Sequence, residues 1–171
     1  MEIYCGLVLP LDRLEAMIGG WRRGKIVGPG AQVAAHVTLA YPLPGGAHLV
    51  EAIERLRDLF ASEPAFDLRL EGLARFPAAR VLYLEPHPTE PLHRLADASF
   101  AAVPGAAPEF PEHIFHATLA QGDDDLDMAE VEMRAYWGRD LPLTERITRA
   151  ELYEKRGERW RLREVFPLAD D

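Results

Sequence analysis

The chain has 171 residues, 48% of them apolar and 27% charged, which is the make-up of an ordinary globular protein and excludes a disordered or fibrous one. A formal net charge of −9 argues against a protein that coats long nucleic acid, because such binding rests on neutralising many phosphates with Lys and Arg. Cys5 is the one cysteine, so an intramolecular disulfide and a zinc cluster of several thiolates are both excluded.

This length suits a single domain over residues 1–171 with a real hydrophobic core. The segment MEIYCGLVLPLDRLEAM has no basic leader, and no apolar run approaches a membrane span. The expectation is a cytoplasmic protein without a targeting signal. In chain order, residues 3–9 read as a strand, and Asp12 as the N-cap of a helix running toward Trp21. A Gly/Pro loop, Gly24 to Gly30, follows. VAAHVTLAYPL reads as a strand ended by Pro42 and Pro44, and Leu49, Ile53, Leu56 and Phe60 then recur at helical spacing. Phe66, Leu68 and Leu70 alternate with Asp67, Arg69 and Glu71, the period of a half-solvated strand, with residues 80–85 as its partner.

Leu92, Leu95, Ser99 and Val103 place a second amphipathic helix before a connection containing Pro104, Pro108 and Pro111. The strand FHATLAQ comes next, and Asp123 to Asp125 read as the N-terminus of a third helix with inner residues Leu126, Ala129, Met133 and Trp137. The end of the chain predicts a hairpin turning at Gly157, with Ile147 to Tyr153 facing Trp160 to Phe166. Its basic residues, Lys155, Arg156, Arg159, Arg161 and Arg163, alternate with Glu154, Glu158 and Glu164, as on a solvated hairpin of mixed charge.

One pattern returns. His36-Val-Thr-Leu-Ala recurs as His116-Ala-Thr-Leu-Ala, 80 residues later. Side chains alternate along a strand, so His36 and Thr38 share one face while Val37 and Leu39 point to the other, and His116 and Thr118 repeat the arrangement. A lone histidine on a strand is ordinarily structural. Chance seldom sets the same four residue types at the same offsets twice, so the duplication points to two polar faces meeting across a cleft.

HVTLAY and HATLAQ resemble the paired His-x-Thr motifs of the 2H phosphoesterase superfamily, particularly its 2′-5′ RNA ligase and cyclic phosphodiesterase branch. LRLEGLARFP followed by RVLYLEP, and the closing RAELYEKRG, Trp160 and FPL, are similar to that branch too. The resemblance implies an α+β, bilobal fold in which two pseudo-symmetric antiparallel sheets with flanking helices surround a central cleft. It implies His36 and His116 as general acid and base, and Thr38 and Thr118 as the hydroxyls holding the phosphate. It implies no metal and no cofactor.

Histidine suits this work, since an unperturbed pKa of about 6.5 lets one imidazole be neutral while its partner is protonated. The implied reaction is hydrolysis of a 2′,3′-cyclic phosphate on a small nucleotide or short RNA end. An RNA 5′-hydroxyl in place of water would give 2′-5′ ligation. A non-catalytic RNA-end or nucleotide-binding module is a further reading. A metallohydrolase lacks an HExxH or paired-cysteine motif to support it. No membrane or stable protein partner is expected, and a monomer is. Four further residues are candidates for substrate contact. Tyr41 could stack on a base, and Gln121 stands where relatives resembling this branch carry a basic residue. Arg75 and Arg80, near the turn between the middle strands, could reach a phosphate. His113, three residues before His116, would face away from it on a continuous strand.

Overall fold

The structure, a computed structural model, describes residues 2–110, 112–122 and 125–170. Among these the elements run β1 (Tyr4–Pro10), α1 (Asp12–Lys25), β2 (His36–Pro44), α2 (Ala47–Ala61), β3 (Phe66–Phe76), β4 (Val81–His87), α3 (Glu90–Ala102), β5 (Ala117–Gln121), α4 (Leu126–Trp137), β6 (Leu143–Ile147), β7 (Arg149–Arg156) and β8 (Arg159–Pro167). The strands form one sheet in the order β6-β3-β4-β5-β2-β1-β7-β8, and every pairing between them is antiparallel.

The α+β, two-lobed expectation holds, with a refinement. The lobes are two four-strand halves of this sheet, joined where β2 meets β5 at the single register pair Val37↔Ala117. Each half carries one His-x-Thr strand at the join. The helices cross over: α1, which leaves the first half, packs on β5 and β6, while α3, which leaves the second, packs on β2. A continuous apolar cluster from Leu7, Leu9, Val37 and Leu39 through Ala117, Leu119 and Phe166 fills the space between sheet and helices. Cys5 is buried in it, which pushes its thiol up to about 11 and makes it a poor nucleophile.

Three boundaries differ from the sequence reading. β2 runs through Pro42 to Pro44, because Pro42 falls at the register shift between Cys5 and Leu7, where a sheet tolerates a missing amide. Ile147 belongs to β6 and pairs with Phe66 of β3, so the closing hairpin is Arg149–Arg156 against Arg159–Pro167. Asp12 is not the N-cap of α1. That position is Leu11, and the first-turn amides of Arg13 and Leu14 donate to the buried carboxylate of Glu145 on β6, at 2.8 and 3.4 Å. Asp12 takes a two-pronged hydrogen bond from Arg149 instead. For α4 the expectation holds at Asp125, whose side chain accepts from the Met128 amide. Asp123, Asp124 and Pro111 lie outside the described residues.

Candidate active site

At the join of the two halves, the pairing of Val37 with Ala117 fixes what stands beside what. Extending that antiparallel register by one residue each way sets His36 beside Thr118 and Thr38 beside His116. All four side chains then share the face opposite to Val37 and Ala117, which are fully buried. The burial sequence from residue 34 to 40 repeats identically from 114 to 120. His36, Thr38, His116 and Thr118 therefore form one crossed quartet.

The two rings are held in the same way. His36 Nδ1 lies 2.7 Å from the Ala34 carbonyl oxygen, and His116 Nδ1 lies 2.9 Å from that of Ile114. A carbonyl only accepts, so each Nδ1 carries the proton and each neutral ring keeps its Nε2 lone pair for the cleft. Burial disfavours the charged form of both. His36 is lowered to about 4, with the nearby Arg22 guanidinium adding to the effect of burial. His116 is lowered by burial, standing against the edges of Phe76 and Tyr83 with ring centroids 5.1 and 5.5 Å away.

The quartet opens on a cleft of about 420 Å³, ample for a nucleotide. Tyr41 and Gln121 line it. Arg75 does not: its guanidinium bonds Asp127, Glu130 and the Leu126 carbonyl and so ties β3 to α4. Arg80 does not line it either. It occupies the left-handed region at φ 53°, and its carbonyl accepts from Gly122 to close the β4 turn against the end of β5. His113 lines the cleft, contrary to the strand-parity expectation, because residues 112–116 are not in a strand and alternation does not apply. Its Nε2 donates to the Thr38 carbonyl at 3.3 Å and its ring packs on Phe115.

Sequence reading missed two parts of the wall. One is Trp160, whose ring stands 5.9 Å from that of Tyr41, with Gly6 beneath; a Cβ on Gly6 would sit 3.5 Å from Tyr41 and 3.6 Å from Trp160. Gln32 locks this corner, accepting from the Trp160 amide and donating to the Glu158 carbonyl. The other is Arg22, 1% exposed, whose Nε donates to the Thr118 carbonyl and Nη1 to the Val33 carbonyl, both at 2.8 Å. The signal was present: Leu14, Ile18 and Arg22 recur every four residues, so an arginine falls on the buried stripe of α1. Among the described residues, no three His, Cys, Asp or Glu side chains are grouped as a metal ion requires.

Over almost its whole length the chain is similar to proteins of known fold. The "Putative phosphoesterase GK0864" of Geobacillus kaustophilus (strain HTA426) is 22% identical over 166 residues, 95% of this chain and 94% of that one. The crystal structure of E. coli LigT complexed with 3′-AMP superposes with a TM-score of 0.66 at 18% identity, covering 98% of this chain and 99% of that one. That of TT0787 from Thermus thermophilus gives 0.62 at 17% identity, with both chains covered in full. Likenesses at this identity establish the fold. The family is established by the sequence model of the 2′-5′ RNA ligase superfamily, which matches residues 10–159 and so takes in both His-x-Thr strands and the elements between them and on through β7. The chain belongs to that superfamily, the 2H phosphoesterases.

Proposed function

We propose that the chain is a phosphodiesterase that hydrolyses 2′,3′-cyclic phosphates of nucleotides or short RNA ends, with His36 and His116 as base and acid and no metal in the step. The observation that carries this reading is the crossed quartet, in which two imidazoles with identically fixed Nδ1–H groups offer Nε2 to one space beside two threonine hydroxyls. His36 stands nearest the positive charge of Arg22, so it is the ring held neutral, and it takes a proton from the attacking water. As the new P–O bond forms, one ribose P–O bond of the ring breaks. Protonated His116 gives its Nε2 proton to the departing ribose oxygen, and a phosphomonoester remains. Thr38 and Thr118 donate to the non-bridging oxygens, whose charge shifts most in the transition state. The chain works as one two-lobed unit, since each lobe supplies half of the quartet.

The family match favours a second reading, 2′-5′ ligation of RNA, in which a 5′-hydroxyl replaces water at the same place. One experiment separates the possibilities. The protein is incubated with 2′,3′-cyclic nucleotides and cyclic-phosphate-ended oligonucleotides, with and without a 5′-hydroxyl acceptor, after exhaustive chelation. Monoester products without acceptor support hydrolysis, and joined products support ligation. Turnover that appears only on adding magnesium, manganese or zinc would make the histidines metal ligands, and binding without turnover would leave a binding module.

A further inference from the structure

Arg22 presents an energetic puzzle. A guanidinium taken out of water costs several kcal/mol unless a counter-charge answers it. Arg22 is almost wholly buried, and its two hydrogen bonds go to backbone carbonyls, which a neutral donor could satisfy equally. The acid acting on it is Glu15, two turns earlier on the same side of the helix, but Glu15 makes its hydrogen bonds to Arg23 and the Ala35 amide and none to Arg22. Along the cleft the other cation, among the described residues, is Lys155, which lies over Trp160 at the far corner. Gln121, which also lines the cleft, is uncharged.

Arg22 bonds the main chain of Thr118, and His36 stands beside Thr118 across the join. We propose that Arg22 is the fixed cation of the cleft, a positioning residue that holds Thr118 from behind while its charge, to which no acid among the described residues bonds, draws an oxyanion, a phosphate group, into the space between the two His-x-Thr faces. This rests on the reading above, in which that space receives a phosphate. The counter-charge of Arg22 is then the ligand itself. Binding the anion answers a charge that folding has already desolvated, in surroundings where the attraction is strong.

The test reads binding, not turnover, so it stands or falls apart from the proposed activity. Inorganic phosphate is titrated into the unaltered protein and into Arg22→Met and Arg22→Lys by calorimetry, and the His36 ring is followed by NMR over the same pH range. The charged groups acting on His36 are Arg22, His116 and Glu15, so its titration reports the loss of Arg22 directly. Arg22→Met should weaken phosphate by roughly 10-fold or more and move the His36 midpoint upward, whereas Arg22→Lys should keep the affinity within about threefold. A folded Arg22→Met that matches the parent in both readings overturns the proposal, as does a folded Arg22→Lys that loses phosphate. The unaltered protein decides if neither variant folds. It should still bind phosphate at pH 8, where both histidines are neutral and Arg22 is charged; binding that vanishes there assigns the attraction to a protonated histidine and sinks the idea. Arg22-dependent phosphate binding in a protein inert toward cyclic phosphates would reject the proposed reaction and leave this inference standing.

Discussion

Each histidine of the quartet uses Nδ1 to hold a main-chain carbonyl two residues behind it, and that bond decides which nitrogen remains to work. Because both rings are fixed alike, His36→Ala and His116→Ala should each lower turnover on cyclic nucleotides by roughly 10²- to 10⁴-fold while the melting transition stays cooperative. Near-parental turnover in either variant would break the pair. Thr38→Ala and Thr118→Ala should cost less, since a hydroxyl steadies charge without moving a proton. The direction of the pKa shifts adds a pH prediction. The base must be neutral, so activity falls as pH drops through the His36 value of about 4. The acid must be protonated, so activity also falls as pH rises through the His116 value, which burial sets below the usual 6.5. The kcat/KM profile, which reports the free enzyme, should therefore be a bell lying on the acid side of 6.5; an optimum above 7.5 would contradict the assignment. Stability follows the same sign, lost as pH falls from 6.5 toward 4 because the unfolded chain takes up the protons first. The quartet was legible in sequence because strand parity and an 80-residue repeat are local arithmetic. The role of Arg75 was not, because its partners Asp127 and Glu130 are about fifty residues away on α4.

Among the elements, α1 has the most to do with the site and the least support in its own sequence. Its first turn is capped by Glu145 from β6, its start is tied to β7 by Arg149 on Asp12, and its last turns carry Arg22 to β5. Sequence reading placed the helix from Asp12 toward Trp21 by taking Asp12 as its cap, because a cap is normally a near neighbour, whereas the helix runs Asp12–Lys25 with Leu11 at the cap position. The carboxylate that does the capping lies some 130 residues on, within five residues that carried no turn signal of their own and so escaped notice as a strand. This assigns a stability role to a residue remote from the cleft. Glu145→Ala leaves two first-turn amides without their buried acceptor and should cost about 1–3 kcal/mol, measured by urea denaturation. Turnover should fall with it, since α1 loosened at one end holds Arg22 less firmly against Thr118. Unchanged stability would show that water replaces the carboxylate at no cost.

At the scale of the whole molecule, two related halves share one seam, and the seam is where the two His-x-Thr strands meet. The repeat that pointed to two polar faces meeting across a cleft did not reveal that the halves exchange α1 and α3, because which sheet a helix covers depends on long-range packing. That exchange makes each His-x-Thr strand rest on a helix from the other half, so the cleft is fixed from both sides. Its size, about 420 Å³, and the net charge of −9 then limit what can enter. Three of the basic residues near the end of the chain are engaged within the protein: Arg156 and Arg163 both bond Glu154, and Lys155 lies over Trp160. Each phosphate neutralised on a single strand adds about −0.7 to the slope of log K against log salt. A cleft that holds one terminal phosphate, with its base near Tyr41 and Trp160, should give a slope of about −0.7 for a short oligonucleotide and for a long RNA alike. Binding of a short oligonucleotide and of RNAs of increasing length, measured over a salt series, checks this directly. A slope that steepens with RNA length would place phosphate contacts outside the cleft and show that distant arginines act together in a way their pairing with Glu154 gives no sign of.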